Sequence, residues 1–168
     1  MRKLAFMLCV LLWPGLAAAG WDEAQAAYQK GDFKAAANEM NKLAAKGDAK
    51  AQVNLGTMYA DGQGVPRNYK LAVKWYRKAA EQGDVMGQVN LGEMYIQGQG
   101  VFRDYVQALK WNILAAQSGD QDAIKYCNTL ADNMSSTKIA EAKRLAREWV
   151  VKHAKGKPNP VPNPVPNP

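Results

Sequence analysis

The sequence predicts an all-α protein, an α-solenoid of stacked antiparallel helix pairs closed by a C-terminal capping helix. Three observations carry that prediction: a 36-residue stretch that recurs, glycines and aspartates that punctuate it at fixed places, and apolar residues spaced for one helix face between them. Asp48 to Gly83 aligns with Asp84 to Gly119. Leu55, Gly56, Met58, Tyr59, Gly62, Gly64, Val65, Tyr69, Ala72, Trp75, Ala79 and Ala80 all return in the second copy. A recurring unit with one apolar face has to bury that face on its neighbours, and a stack of such units is a solenoid.

Residues 1–19 read as an address. Arg2 and Lys3, the apolar run Leu4 to Leu12, Trp13-Pro14-Gly15 and Ala17-Ala18-Ala19 follow the charged, apolar and small-residue order of a secretory signal peptide. Cleavage is expected after Ala19, with Pro14 and Gly15 breaking the helix and leaving an extended segment for the peptidase. The run falls short of the roughly 20 residues that span a bilayer, so no transmembrane span is expected after cleavage and the processed chain is expected in the periplasm or outside the cell. Cys9 follows the bulky Leu8, which excludes lipidation. Processing removes two basic and no acidic residues, so the net charge of +7 becomes +5 over 149 residues. Cys127 is then the sole thiol, no internal disulfide can form, and a buried apolar role is expected for it.

Residues 20–47 form a first helical hairpin, in which Phe33, Ala36, Ala44 and Gly47 share the register of Tyr69, Ala72, Ala80 and Gly83. Residues 48–83 and 84–119 are the two full repeats. In the first, the apolar spacing predicts one helix from about Ala49 to Ala60 and another from Tyr69 to Glu81. Gly56 and Gly92 fall mid-helix, where glycine costs about 1 kcal/mol relative to alanine, so their recurrence implies helices too close for a methyl group. Gly62, Gly64, Gly98 and Gly100 shape the turns. Gly83 and Gly119 suit the end of the second helix, and Asp84 and Asp120 cap the helix that follows. The aromatic stripe Tyr59, Tyr69, Trp75, Tyr95, Tyr105 and Trp111 is expected in the core. Residues 120–154 hold a partial repeat and a closing helix. Ile139, Ala142, Leu145, Ala146, Trp149 and Val150 form its apolar face, and Lys138, Lys143, Arg144, Arg147 and Lys152 the polar face that a terminal unit needs. Residues 155–168 repeat Pro-Asn-Pro-Val and predict an extended polyproline II tail.

The wording A-x-x-x-LG-x-MY-x-x-G-x-GV, followed by Tyr, Ala and Trp and then by AA-x-x-G, resembles the Sel1-like repeat, a relative of the tetratricopeptide repeat with a longer turn between its helices. The resemblance covers Ala49 to Gly119. Residues 22–47 look like a tetratricopeptide hairpin with a short turn, and Ile139 to Trp149 resembles the closing helix of Sel1-like proteins. The resemblance implies a helical scaffold that grips extended peptides or chain termini on its concave face. Some cysteine-rich members are described as β-lactam-binding or hydrolysing, but their repeats carry paired cysteines that are missing here.

Candidate binding residues lie on the first helix of each repeat, on the face not used for packing. Lys50, Asn54, Thr57 and Asp61 share a stripe, and Met86, Asn90, Glu93 and Gln97 repeat it. Asn54 and Asn90 either hold backbone between repeats or contact a ligand. The expected partner is a protein or peptide segment, and the expected role a periplasmic adaptor; the alternative is a cell-wall or β-lactam hydrolase. Ser135-x-x-Lys138 has the spelling of a serine acylase motif, but the accompanying elements are absent and a serine before a helix is ordinarily a cap. Gly62-x-Gly64 and Gly98-x-Gly100 lack the preceding strand and third glycine of a dinucleotide loop. His153 is the only histidine, so no zinc site is expected. Met58, Met86 and Met94 read as packing residues rather than copper ligands, and no cofactor is expected. Gly20 to Thr137 carries thirteen basic and thirteen acidic residues, whereas Lys138 to Pro168 carries seven and two. The closing helix and tail are therefore expected either to be a solvated capping face or to meet an anionic envelope surface. Nucleic acid is excluded by the expected compartment.

Overall fold

The computed structural model describes residues 15–154, with side chains from Gly20 onward. Residues 1–14, which hold most of the signal-like segment, and the tail 155–168 lie outside the described residues. Eight helices follow one another: α1 Gly15–Gln29, α2 Phe33–Ala45, α3 Ala49–Asp61, α4 Tyr69–Glu81, α5 Val85–Gln97, α6 Tyr105–Ala116, α7 Gln121–Ala131 and α8 Ser136–His153. Among the described residues there is no strand, and no helix is long and apolar enough to cross a membrane. Residues 15–19, expected to be extended, are the first turn of α1. Three consecutive alanines have the highest helix propensity available, and a proline just before a helix is compatible with its start.

The helix boundaries are written in side chains. Asp32, Asp48, Asn68, Asp84, Asp104, Asp120 and Ser135 each stand at an N-cap and accept a hydrogen bond from a backbone N–H in the first turn of the helix that follows. Each such cap is worth about 1 kcal/mol. At the other end of α4, the Gly83 N–H donates to the Ala80 carbonyl at 3.0 Å and the Asp84 N–H to the Ala79 carbonyl at 3.1 Å. One short stretch therefore ends α4 and caps α5, which sets the sharp reversal between repeats.

From α1 to α7 each helix packs on the next; in addition α3 touches α5, and α8 packs on α6 rather than on α7. The odd-numbered helices thus make one layer and the even-numbered helices the other. Their interior is filled in sections: Met40, Leu43, Leu55 and Met58 at the first hairpin, then Leu91, Leu109, Trp111 and Leu114 with Ala142 and Ala146 where α8 closes it, Tyr59 packing against both sections. Leu55 and Leu91 are fully enclosed, each worth about 1.5–3 kcal/mol of transfer from water.

The close approach implied by the mid-helix glycines is real, and its partners are specific. A β-carbon on Gly56 would lie 2.6 Å from Tyr76 Cε1, and one on Gly92 would lie 2.5 Å from Asn112 Nδ2. Tyr76 and Asn112 occupy the same slot of successive repeats, so the two copies solve one packing problem with different side chains. The aromatic stripe needs one correction. Trp75 and Trp111 are buried and Tyr59, Tyr69 and Tyr95 partly so, but Tyr105 is exposed at 42%. Gly64 sits against the start of α2 at Phe33, and Gly100 against the start of α4 at Tyr69. Tyr105 opens α6, and the connection that would cover it, Asp132 to Ser135, is a short turn without the long glycine loop.

Candidate functional site

A groove of about 340 Å³ runs between α1 and α3 with α2 as its floor. Trp21, Ala24, Gln25 and Tyr28 form the wall from α1, Ala36 and Met40 the floor, and Asn54, Thr57 and Met58 the wall from α3, with Gln63 at one end. None of these residues carries a charge. The apolar floor and the ring of side-chain amides suit a segment whose backbone offers carbonyl and N–H groups and whose side chains are apolar or uncharged. A second, more open depression of about 700 Å³ lies at the N-terminal ends of α3 and α5, between Trp21, Asp48, Ala49, Lys50 and Asp84. Trp21 borders both, and its indole N–H donates to Asp48 Oδ2 at 3.1 Å, which fixes α1 beside the start of α3.

The structure places the candidate stripe on this layer but does not make its members equivalent. Lys50 borders the open depression; Asn54 and Thr57 line the groove. Asp61, Met86 and Gln97 are exposed, and Asn90 and Glu93 are half-buried. Thr57 Oγ is held by the Val53 carbonyl at 3.2 Å and faces the Tyr76 hydroxyl at 3.1 Å, so it belongs as much to the α3–α4 contact as to the groove. Burial raises the Tyr76 hydroxyl above the usual tyrosine range despite that hydrogen bond, with Asp61 and Glu93 acting in the same direction. Glu93 accepts a hydrogen bond from Gln97 Nε2 at 2.7 Å, one turn along α5.

The amides that hold backbone between units are Gln52 and Gln88 rather than Asn54 and Asn90. Gln52 Nε2 donates to the Ala44 carbonyl at 3.1 Å and Gln88 Nε2 to the Ala80 carbonyl at 3.4 Å, each reaching the last turn of the preceding helix from a buried position. Asn54 is exposed, and its Nδ2 makes only a long hydrogen bond to Met40 Sδ at 4.0 Å, with its Oδ1 facing no partner among the described residues. That leaves its amide available to a ligand. The glutamines recur in the QVNLG wording of both repeats, two residues before the asparagines, in register with the buried positions 55 and 91. Trp21, Gln25 and Tyr28 carry no repeat signature, and only the fold brings them to the groove, whereas Gln63 recurs as Gln99 in the turn of the second repeat.

Two sequence candidates for chemistry resolve into structure. Ser135 Oγ accepts the Lys138 backbone N–H at 3.4 Å and both residues are exposed, which is the geometry of a cap. Cys127 is half-buried against the main core, and burial pushes its thiol up to about 12, with Lys143 pulling slightly the other way. Such a thiol stays protonated at neutral pH and is a poor nucleophile. In the folded protein at pH 8, Cys127 is therefore expected to react with Ellman's reagent at least tenfold more slowly than in denaturant; equal rates would show it to be accessible and ionised.

A family model described as Sel1 repeat matches residues 49–84 and 85–120. Among solved structures, a protective antigen present in uropathogenic Escherichia coli strains and displaying an SLR fold is 29% identical, with a TM-score of 0.76. The match covers 90% of this chain but only 35% of that one, so the chain spans about a third of the antigen's length. A Sel1 repeat protein from Oxalobacter formigenes is 33% identical over 68% of this chain and 90% of its own, with a TM-score of 0.62. Among curated proteins there is no match.

Proposed function

The chain belongs to the Sel1 repeat family, whose members mediate protein–protein interaction, and from that premise we propose that it is a periplasmic adaptor that holds a segment of another protein on its odd-numbered helix layer. The observation that supports this reading is the uncharged groove between α1 and α3, with apolar floor residues and the side-chain amides of Gln25, Asn54 and Gln63 on its rim. Lys50 and Asp84 beyond one end, and Asn90, Glu93 and Gln97 along α5, extend the same layer and supply charged and polar contacts for flanking residues of the bound segment. Stacked helix pairs present such a surface already formed, so a bound segment bears most of the ordering cost.

The reading assigns the chain no catalysis, since the serine that might act as a nucleophile caps α8. It is tested by crosslinking in intact cells followed by mass spectrometry of the captured partner. Replacing Lys50 and Asn90 together by alanine should reduce capture at least tenfold while leaving the thermal midpoint within about 2 °C, as expected for exposed and half-buried polar positions away from the core. Capture that survives the double substitution would count against this layer as the binding face. Turnover of nitrocefin that disappears in Ser135→Ala would replace the adaptor with a hydrolase.

A further inference from the structure

Counted along the sequence, Gly20 to Thr137 is electrically neutral. Counted across the two layers, it is not. Within that stretch the even-numbered helices α2, α4 and α6 hold seven lysines and arginines against two glutamates, a net charge of +5, and α8, whose charges lie beyond it, adds five against two. The odd-numbered helices α1, α3, α5 and α7 hold two lysines against five acidic residues, a net charge of −3. The chain alternates between layers every dozen residues, so the segregation is invisible to any count over a contiguous stretch.

Nine of the twelve cations lie on α4 and α8. On α4, Lys70, Lys74 and Lys78 are exposed, away from the buried Ala72, Val73, Trp75, Tyr76, Ala79 and Ala80, while Arg77 is half-buried and donates to the Tyr95 hydroxyl of α5 at 2.8 Å. Lys110 of α6 is half-buried, and its ammonium is held below the usual lysine range, first by burial and then by the charges of Arg77 and Lys152, with Glu81 opposing. Trp149 of α8 packs on Trp111 of α6, and a β-carbon on Gly83, just past α4, would lie 3.9 Å from the Trp149 ring, so the basic helices α4, α6 and α8 meet around one indole. Among the described residues only Lys42 with Glu39 and Arg144 with Glu148 form ion pairs, so every cation of α4 lacks a carboxylate partner. Repulsion of this kind disfavours the folded state unless an external anion relieves it.

We propose that the even-numbered helix layer is a docking face for an anionic lipid surface, which leaves the odd-numbered layer turned away and free. A protein partner would be expected to anchor on exposed apolar or aromatic side chains at the centre of the patch. Of the large exposed apolar residues, Tyr28, Met86 and Phe102 lie off the even-numbered helices, while Tyr105 and Val151 sit singly at the first residue of α6 and near the end of α8 and form no central patch. Long lysine side chains spread over several helices, away from both the groove and the open depression, instead suit many weakly localised negative charges.

The test is sedimentation of the full chain with vesicles, expressed as the ratio of partition into equal parts phosphatidylglycerol and phosphatidylcholine to partition into phosphatidylcholine alone. Any contribution of the apolar residues 4–12 appears in both terms. Each basic residue near an anionic leaflet is worth about fivefold, so Lys70→Gln/Lys74→Gln/Lys78→Gln should lower the ratio at least tenfold, and Lys138→Gln/Arg144→Gln/Lys152→Gln comparably. The corresponding arginine substitutions at 70, 74 and 78 should restore it, and raising salt from about 0.1 M to about 1 M should abolish it as screening shortens from about 10 to 3 Å. A ratio near one, or a loss confined to the α8 variant, would overturn the proposal. So would retention on heparin without vesicle binding, which would assign the face to a soluble polyanion. Because partner capture is read separately through Lys50 and Asn90, failure of the lipid test leaves the adaptor reading standing.

Discussion

Truncating Trp111 to alanine is expected to remove about 3–5 kcal/mol of stability, the cost typical of emptying a large aromatic site in a core. Trp111 is 3% exposed and packs edge-on against Trp149 of the closing helix, with ring centroids 6.2 Å apart and planes inclined by 70°. Trp149 in turn stacks on His153 at 4.1 Å, and the Lys110 ammonium lies over the Trp111 ring at 4.1 Å. The indole is thus the joint between the repeat array and its cap, and its loss should loosen α8 as well as leave a cavity. One feature tempers its worth: the indole N–H is buried without a hydrogen-bond partner, as is that of Trp149. A buried orphan donor costs about 1–3 kcal/mol, so Trp111→Phe, which discards the donor and keeps most of the ring, should cost under about 1.5 kcal/mol. Denaturant unfolding of the three proteins measures both differences. If alanine and phenylalanine cost the same, the aromatic volume is not what holds the cap.

How much of this was readable from the sequence depends on whether the information is local. Helix ends were, because a cap is a bond between a side chain and a backbone three residues away: Asp84, Asp120 and Ser135 do what their positions imply. Gly56 and Gly92 announced a close approach for the same reason, a recurring exception to helix propensity. What they meet was not announced, since Tyr76 and Asn112 differ in size and polarity. Tyr105 was misplaced because its burial depends on the turn of a following unit, and the chain switches there to a short connection. The groove was half legible: Asn54 and Thr57 lie on the periodic stripe, whereas Trp21, Gln25 and Tyr28 come from a helix outside the two repeats. Charge segregation was missed altogether. A neutral total over Gly20 to Thr137 conceals two layers of opposite sign when every second helix belongs to the other face.

Replacing Gly100 by alanine is expected to cost about 2–5 kcal/mol, although the residue is partly solvent-exposed and lies in a turn. Two separate effects add. Its φ of +72° is left-handed, which an L-residue adopts only at a cost of about 1–2 kcal/mol. A β-carbon there would also run into the carbonyl of Tyr69 and come within 2.8 Å of the Lys70 nitrogen, the backbone that opens α4. A flexible side chain could move aside; a helix terminus cannot without shifting the preceding repeat, and overpacking of that kind adds about 1–3 kcal/mol. Gly119 separates the two contributions. Its φ is +80°, and a β-carbon would meet nothing within 4 Å, so Gly119→Ala should show the conformational part alone. Gly98→Ala is a second control, since its β-carbon would meet the Arg103 side chain first, at 3.3 Å. The excess of Gly100→Ala over Gly119→Ala, measured by denaturant unfolding, then reports how tightly one turn is seated on the helix of the unit before it. Gly64, which meets the start of α2 at Phe33 in the same way, should show the same excess. Equal costs at positions 100 and 119 would mean that the turns hang free and that the stack is held by its helices alone.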